Sequence, residues 1–296
     1  MINENLKFVI QLLLPIIFYV VGLVAYYVDI INLAIFMVFI LVAFIISIAC
    51  VFYYRNRKKQ KMIFTAITIL MLLLSLFEFR LLAYEFTTFI VTSYNEPLEV
   101  VDNSGIHVLA VHETEIQHFK DLGYMIHSVE QLQNREVLDY VEVTNRMRYH
   151  SKNIQLLSYI TPSKNYFNKM KGNVITYLNF ESKNLEKFFN RDDIEGDSAG
   201  LALALSGLIE KKELHNNRPV AVTGAIDGFG NVMEIGSIKA KILIAEKYHL
   251  PYIILPVENA TEAQKVKSEQ NLNIEIIAVE HVDEAVSEIE RIQTVK

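Results

Sequence analysis

The chain has 296 residues, 52% of them hydrophobic, a formal net charge of −6 and a mean hydropathy of +0.25. That is too apolar for an ordinary soluble protein, and no domain-wide basic surface exists to neutralise phosphates, which argues against a nucleic-acid partner. The only cysteine, Cys50, lies inside an apolar run, so neither a disulfide framework nor a cysteine metal site can be built within one chain.

Residues 8–28 are nearly all apolar, interrupted by Gln11 and Pro15, and a second run follows Asp29 over 31–53. A third starts at Met62, is uninterrupted to Phe77 and is taken as a span over 62–82, with the charged Glu78-Phe79-Arg80 end at the interface. About 20 residues at 1.5 Å each cross a hydrocarbon core of about 30 Å. The first run is too long and lacks the small-residue cleavage site of a signal peptide. An all-α transmembrane region of three helices over 1–91 is therefore expected. Arg55, Arg57, Lys58, Lys59 and Lys61 crowd the loop between spans two and three, while Glu85, Glu96, Glu99 and Asp102 follow span three. Basic loops stay in the cytoplasm. This predicts a multi-pass protein of the cell membrane, in contact with the lipid bilayer, whose C-terminal part is extracytoplasmic.

From about Thr92 the composition is that of a globular α/β domain. A hairpin is expected over 98–111, turning at Asp102-Asn103-Ser104-Gly105, then helices over 113–122 and 128–146. The region 92–170 carries no nameable motif. Beyond it, strands are expected at 173–180, 218–226, 231–235, 252–257 and 274–279, with helices at 182–190, 198–212, 237–249, after Asn259 and from Asp283. Asp227-Gly228-Phe229-Gly230 is the turn between two of the strands. Interleaved strands and helices imply a sheet with helices packed on it, the domain over 171–296 being the clearest.

Two residues of this domain carry chemistry. Ser198 stands in Gly196-Asp197-Ser198-Ala199-Gly200 where an apolar helix starts, and Lys241 in Gly236-Ser237-Ile238-Lys239-Ala240-Lys241. A serine hydroxyl needs a base to take its proton, and a desolvated lysine amine can be that base. Lys241 has Ser237, Ile238, Ile244 and Ala245 as helical neighbours, none a carboxylate. Thr223-Gly224 ends the intervening strand, where a hydroxyl could orient the amine. The bland alternatives are that Ser198 caps the helix and that Lys241 is a snorkelling surface charge. The same serine satisfies G-x-S-x-G, the nucleophile elbow of esterases, but polar, acidic residues precede it where that motif needs a buried strand. His112-Glu113-Thr114-Glu115-Ile116 lacks the second histidine of H-E-x-x-H, and no phosphate loop occurs, so neither a metal nor a nucleotide cofactor is expected.

Taken in order, Gly196-Asp197-Ser198-Ala199-Gly200, Val222-Thr223-Gly224 with Gly230-Asn231-Val232, Ile235-Gly236-Ser237-Ile238-Lys239-Ala240-Lys241 and Ile254-Leu255-Pro256 before Glu258-Asn259 resemble the proteolytic domain of Lon proteases over roughly 173–290. The resemblance implies a Ser–Lys dyad, Ser198 as nucleophile and Lys241 as base, with Thr223 orienting the lysine. It also implies polypeptide substrates and a homo-oligomer. Three residues depart from the family: Asp197 stands where proline is usual, Ser237 where a second glycine is usual, and Ala225 where glutamate is usual. Lon's ATPase is missing from the sequence, and membrane-tethered bacterial relatives of Lon offer the architectural comparison. The expected function is an ATP-independent, membrane-anchored serine endopeptidase. The rivals are an inactive membrane-held binding or sensor module, for which Asp197 speaks, and the esterase.

Overall fold

The computed structural model describes residues 4–84, 89–113, 121–158, 165–180, 182–191 and 194–294. The expected helix over 113–122 lies almost wholly outside them, as do positions 114–118 of the histidine-containing stretch. The elements run α1 (Glu4–Tyr27), α2 (Leu33–Tyr53), α3 (Lys58–Phe79), β1 (Phe89–Tyr94), β2 (Leu98–Glu99), β3 (Ile106–Val108), β4 (Val111–Glu113), α4 (Leu122–His127), β5 (Glu136–Glu142) and α5 (Asn145–Ser158). They continue with α6 (Tyr166–Leu178), α7 (Lys183–Phe189), α8 (Gly200–Glu210), β6 (Val220–Val222), β7 (Ala225–Ile226), β8 (Val232–Met233), α9 (Ile238–Lys247), β9 (Tyr252–Pro256), α10 (Ala260–Gln270), β10 (Glu275–Val279) and α11 (Val282–Thr294). Two compact units result: Met1–Ile90 with Glu115–Tyr124 and Val141–Pro162, and Val91–Thr114 with Met125–Tyr140 and Ser163–Lys296.

In the first unit, Phe8–Tyr27, Leu33–Tyr53 and Lys58–Tyr84 are long and apolar enough to cross a membrane, matching the three expected runs. Asp29, at φ 59°, makes the turn out of α1. The Asn32 side chain then caps α2 by accepting from the Ile35 N–H at 3.0 Å. Gly22 is obligatory for the α1–α2 crossing, since a Cβ there would lie 2.7 Å from Phe39 Cβ. Cys50 is buried in an apolar cluster with Tyr54 and Phe64, the inert role expected of it.

At the end of α3, Glu78 is fully buried within the protein. Its Oε2 accepts from Lys152 Nζ of α5 at 2.6 Å, and its Oε1 accepts from Tyr19 at 2.9 Å and Tyr149 at 3.2 Å. The Lys152 ammonium also lies over the Phe77 ring at 3.9 Å. Asn145, opening α5, donates its N–H to Asp29 Oδ1 at 2.8 Å and its amide to the Ile31 carbonyl at 3.0 Å. Helix α5 is thus fastened to both the α1–α2 turn and the end of α3.

The second unit holds a five-stranded sheet in the order β10-β9-β6-β3-β2. Its strands are parallel except for the edge strand β2, which pairs antiparallel with β3 as the expected hairpin. Period-two alternation sorts the central strands: Val220, Val222 and Ile254 face a core shared with α6, α7, α8 and α11. Ala221, Ile253 and Leu255 face a second core shared with α9 and α10. Strands buried on both faces read as continuous apolar runs, as Val220-Ala221-Val222 and Ile253-Ile254-Leu255 do. A small sheet β4-β1-β5 and a two-stranded pair β7-β8 complete the unit. The architecture is that of an apolar three-helix region followed by a mixed α/β domain.

Two expected elements are wrong in type. The strand at 173–180 is the helix α6: its buried residues Met170, Val174 and Leu178 recur every four positions, a helical stripe. Asn165 caps α6 at its start, and Asn179, at φ 45°, ends it. The helix at 128–146 is instead a short π-helical turn over Ser128–Leu132, the strand β5, and the start of α5. Asn134, at φ 51°, separates turn from strand. Residues 136–142 are rich in Val, Leu and Tyr, which suit a strand.

Removing one partner of a buried pair leaves an uncompensated charge, whereas removing both does not. Lys152→Ala should therefore lower stability by about 3–5 kcal/mol, and Lys152→Met combined with Glu78→Leu by clearly less. The check is thermal unfolding of the full chain in lipid vesicles.

Candidate active site

The two faces of the main sheet bring different chemistry to one point, the C-terminal end of β6. Helix α8 packs on one face and α9 on the other. Parallel sheets bind their ligands beyond this end of the strands. Thr223 continues the ladder past β6 by donating its N–H to the Ile254 carbonyl at 3.0 Å.

The Ser198 turn is stitched to that strand end. The Ser198 carbonyl accepts from the Gly224 N–H at 2.8 Å and from the Thr223 hydroxyl at 3.2 Å. In return the Leu201 N–H donates to the Gly224 carbonyl at 2.9 Å. Gly200 makes the close approach feasible, since a Cβ there would lie 3.2 Å from the Ile226 nitrogen. Gly196, at φ +87°, turns the chain into the loop. Helix α8 begins at Gly200 with Ala199 as its N-cap residue and without a side-chain cap. Ser198, expected to open the helix, thus lies just ahead of its start, half-buried, and its hydroxyl is not spent on capping.

Of the two lysines in the α9 motif, Lys239 is exposed and Lys241 is 3% exposed. Lys241 Nζ donates to Thr223 Oγ1 at 3.1 Å. Since the Thr223 proton goes to the Ser198 carbonyl, its oxygen is left to accept, and it fixes one N–H of the amine. Burial pushes the Lys241 pKa down to about 8, with the nearby Asp197 charge pulling the other way. Desolvation wins because a buried ammonium lacks both water and a contacting carboxylate. Thr223 therefore joins Lys241 to the Ser198 backbone. Among the described residues no hydrogen bond joins Ser198 Oγ directly to Lys241 Nζ.

The departures can be placed as well. Ala225 is buried against the apolar residues of α9, where a carboxylate would be desolvated. Ser237 adopts φ 59° at the N-cap of α9, the left-handed region that favours glycine. It compensates by donating its hydroxyl to Glu113 Oε1 at 3.1 Å. Sequence reasoning missed Gly224, whose peptide both donates to and accepts from the Ser198 turn; its place after Thr223 was the only signal. Among the described residues just before Ser198, 194 and 195 form no strand and 196–199 form bends and turns, where an esterase elbow requires a strand. His281 bonds to the Phe229 carbonyl and Asp283, and among the described residues no histidine bonds to Ser198.

Residues 192–290 match the family model of the Lon protease (S16) C-terminal proteolytic domain. Similar proteins include the Lon protease of Roseiflexus castenholzii, 32% identical over 95 residues, which is 32% of this chain and 12% of that protein. The Lon protease of Syntrophomonas wolfei is 33% identical over 94 residues, 32% of this chain and 12% of its own length. That of Rickettsia typhi is 36% identical over 92 residues, 30% of this chain and 12% of its own. The chain thus matches only 12% of the length of these relatives.

The depressed Lys241 pKa has a consequence for stability. The unfolded chain binds this proton more readily than the fold does, so the wild type should gain stability as pH rises from about 8 to 10.5. Lys241→Met lacks that gain, and at pH 7 it should be the more stable protein by about 1 kcal/mol or more. Thermal midpoints of both proteins across this pH series provide the check.

Proposed function

We propose that the chain is a membrane-anchored serine endopeptidase in which Ser198 is the nucleophile, Lys241 the general base and Thr223 the residue that orients it. The observation carrying this reading is the buried Lys241 amine with a pKa of about 8, tied through Thr223 to the Ser198 turn. The match of residues 192–290 to the Lon proteolytic domain adds to it.

Ser198 Oγ attacks the peptide carbonyl carbon while neutral Lys241 takes the hydroxyl proton. The tetrahedral intermediate collapses, the C–N bond breaks, and the Lys241 ammonium gives its proton to the departing amine. Water then attacks the acyl-serine, Lys241 takes a proton from it, and Ser198 is released with that proton. The Gly200 and Leu201 N–H groups are taken by the Asp197 and Gly224 carbonyls. Stabilisation of the oxyanion therefore falls to the N–H groups of Ser198 and Ala199. No step requires a nucleotide.

The substrates are polypeptides, exported or membrane-associated, on the outer side of the membrane. The basic loop between α2 and α3 favours the cytoplasm, and one further crossing carries the following chain outward. Protease added to intact cells should then cleave the second unit and spare the 55–61 loop.

The full chain in lipid vesicles should cleave an unfolded polypeptide, and Ser198→Ala or Lys241→Ala should each reduce kcat by about a thousandfold or more. Equal cleavage by all three proteins would sink the dyad. Absence of cleavage by the wild type, with specific retention of a polypeptide, would favour a binding module.

Activity should rise with pH through a midpoint near 8, as Lys241 loses its proton. The Asp197 charge favours the ammonium, so Asp197→Asn should move this rising limb to lower pH. A limb that stays in place or moves upward contradicts the assignment of Lys241 as base.

A further inference from the structure

Helix α9 lies on the main sheet through Ile238, Ile242, Ile244 and Ala245, against Ala221, Ile253 and Leu255. Apolar contact of this kind is strong but non-directional; it holds the helix down without fixing its register along the sheet. A base that must meet a hydroxyl needs that register, since a misplacement of about 1 Å can cost about a hundredfold in rate.

Both ends of α9 are gripped from outside the main sheet, by the small sheet β4-β1-β5. At the start, Ser237 donates to Glu113 Oε1 of β4 at 3.1 Å. At the other end, Lys247 Nζ donates to Glu136 Oε2 of β5 and to the Tyr94 hydroxyl of β1. Tyr94, fully buried, donates in turn to Glu136 Oε2 at 2.5 Å. Tyr248 donates to Oε1 at 3.2 Å. One carboxylate thus collects donors from α9, from β1 and from the residue after α9. The Lys247 hydrogen bond, then that of Tyr94, holds the Glu136 carboxyl below its usual range. An exposed ion pair alone would contribute little; its value here is geometric. Glu113 and Glu136 also lie outside the stretch 192–290 that matches the Lon domain, so this grip is supplied by a different part of the chain.

We propose that Glu113 and Glu136 are positioning residues for the base: by holding the two ends of α9 they fix Lys241 Nζ against Thr223 Oγ1. The proposal rests on the reading of Lys241 as base, and its test separates the two. Loosening α9 admits water to the amine and raises its pKa toward the ordinary lysine range, Asp197 being the charge that acts on it among the described residues.

The experiment uses the full chain in lipid vesicles carrying Glu136→Gln, Lys247→Met, Lys247→Arg or Glu113→Gln. It reads kcat and KM on a labelled unfolded polypeptide. It also reads the pH midpoint of Lys241 directly, from competitive acetylation by acetic anhydride quantified by mass spectrometry. Glu136→Gln and Lys247→Met should lower kcat about tenfold with KM changed less than about twofold. They should also raise the Lys241 midpoint by about half a unit or more. Glu113→Gln should act in the same sense, and Lys247→Arg should stay near wild type. An unmoved Lys241 midpoint in Glu136→Gln and Lys247→Met overturns the proposal, whatever happens to kcat. Impairment of Lys247→Arg equal to that of Lys247→Met does so as well. Should the wild type cleave nothing, a midpoint still raised by these variants supports the positioning role while the protease reading fails.

Discussion

The Ser198 carbonyl, held by the Gly224 N–H and the Thr223 hydroxyl, is the constraint on which the site depends. It welds the entry of α8 to the end of β6. Because Thr223 spends its proton there, its oxygen must receive Lys241, which comes from the opposite face of the sheet. Sheet topology therefore decides the chemistry: two helices on different faces can share a site only at a strand end. The glycines follow from the same contact. A Cβ on Gly200 would lie 3.2 Å from the Ile226 nitrogen and one on Gly224 3.1 Å from Val232 Cγ1, contacts tight enough that the neighbours would have to give way.

Lys152 and Lys241, the lysines buried among the described residues, differ in what their amines contact. Lys152 faces Glu78 at 2.6 Å with both side chains fully buried; burial pushes its pKa down, and the contacting carboxylate pulls the other way. Lys241 contacts a hydroxyl instead, which orients the amine without neutralising the charge it would carry. Burial thus yields an ion pair in one unit and an amine without a contacting carboxylate in the other. The difference lies in the partner and not in the lysine.

Much of this was legible in the sequence. The apolar runs gave the three helices because length and composition alone decide that question, and the strand 252–256 stood out as an unbroken apolar run, with 276–279 a shorter one. Ser198, Thr223 and Lys241 were legible through their motifs, and the apolar neighbours of Lys241 foretold its burial. Helix α6 was misread because Val174, Thr176 and Leu178 alternate locally, and only the longer stripe from Met170 reveals the period. The pairing of Glu78 with Lys152 joins residues far apart in sequence, as does that of Lys247 with Glu136. Such pairings are products of tertiary packing, and no local pattern announces them. Ser237 could be flagged as a missing glycine, but its compensating bond to Glu113 could not be foreseen.

Asp197 shows how the opposing effects on the Lys241 amine balance. Its charge favours the ammonium form of Lys241, yet burial outweighs it, and the net pKa is about 8. At pH 7 an amine with that pKa is neutral in about one molecule in ten. Where proline is usual, that opposing charge would be missing and the neutral fraction larger. The acidic residue therefore need not distort the Ser198 turn to have an effect; it acts on the Lys241 amine, through the field, from a position beside the serine. An effect of this kind relaxes with rising pH or with any cation that approaches Asp197, and it leaves the Thr223 hydrogen bonds in place.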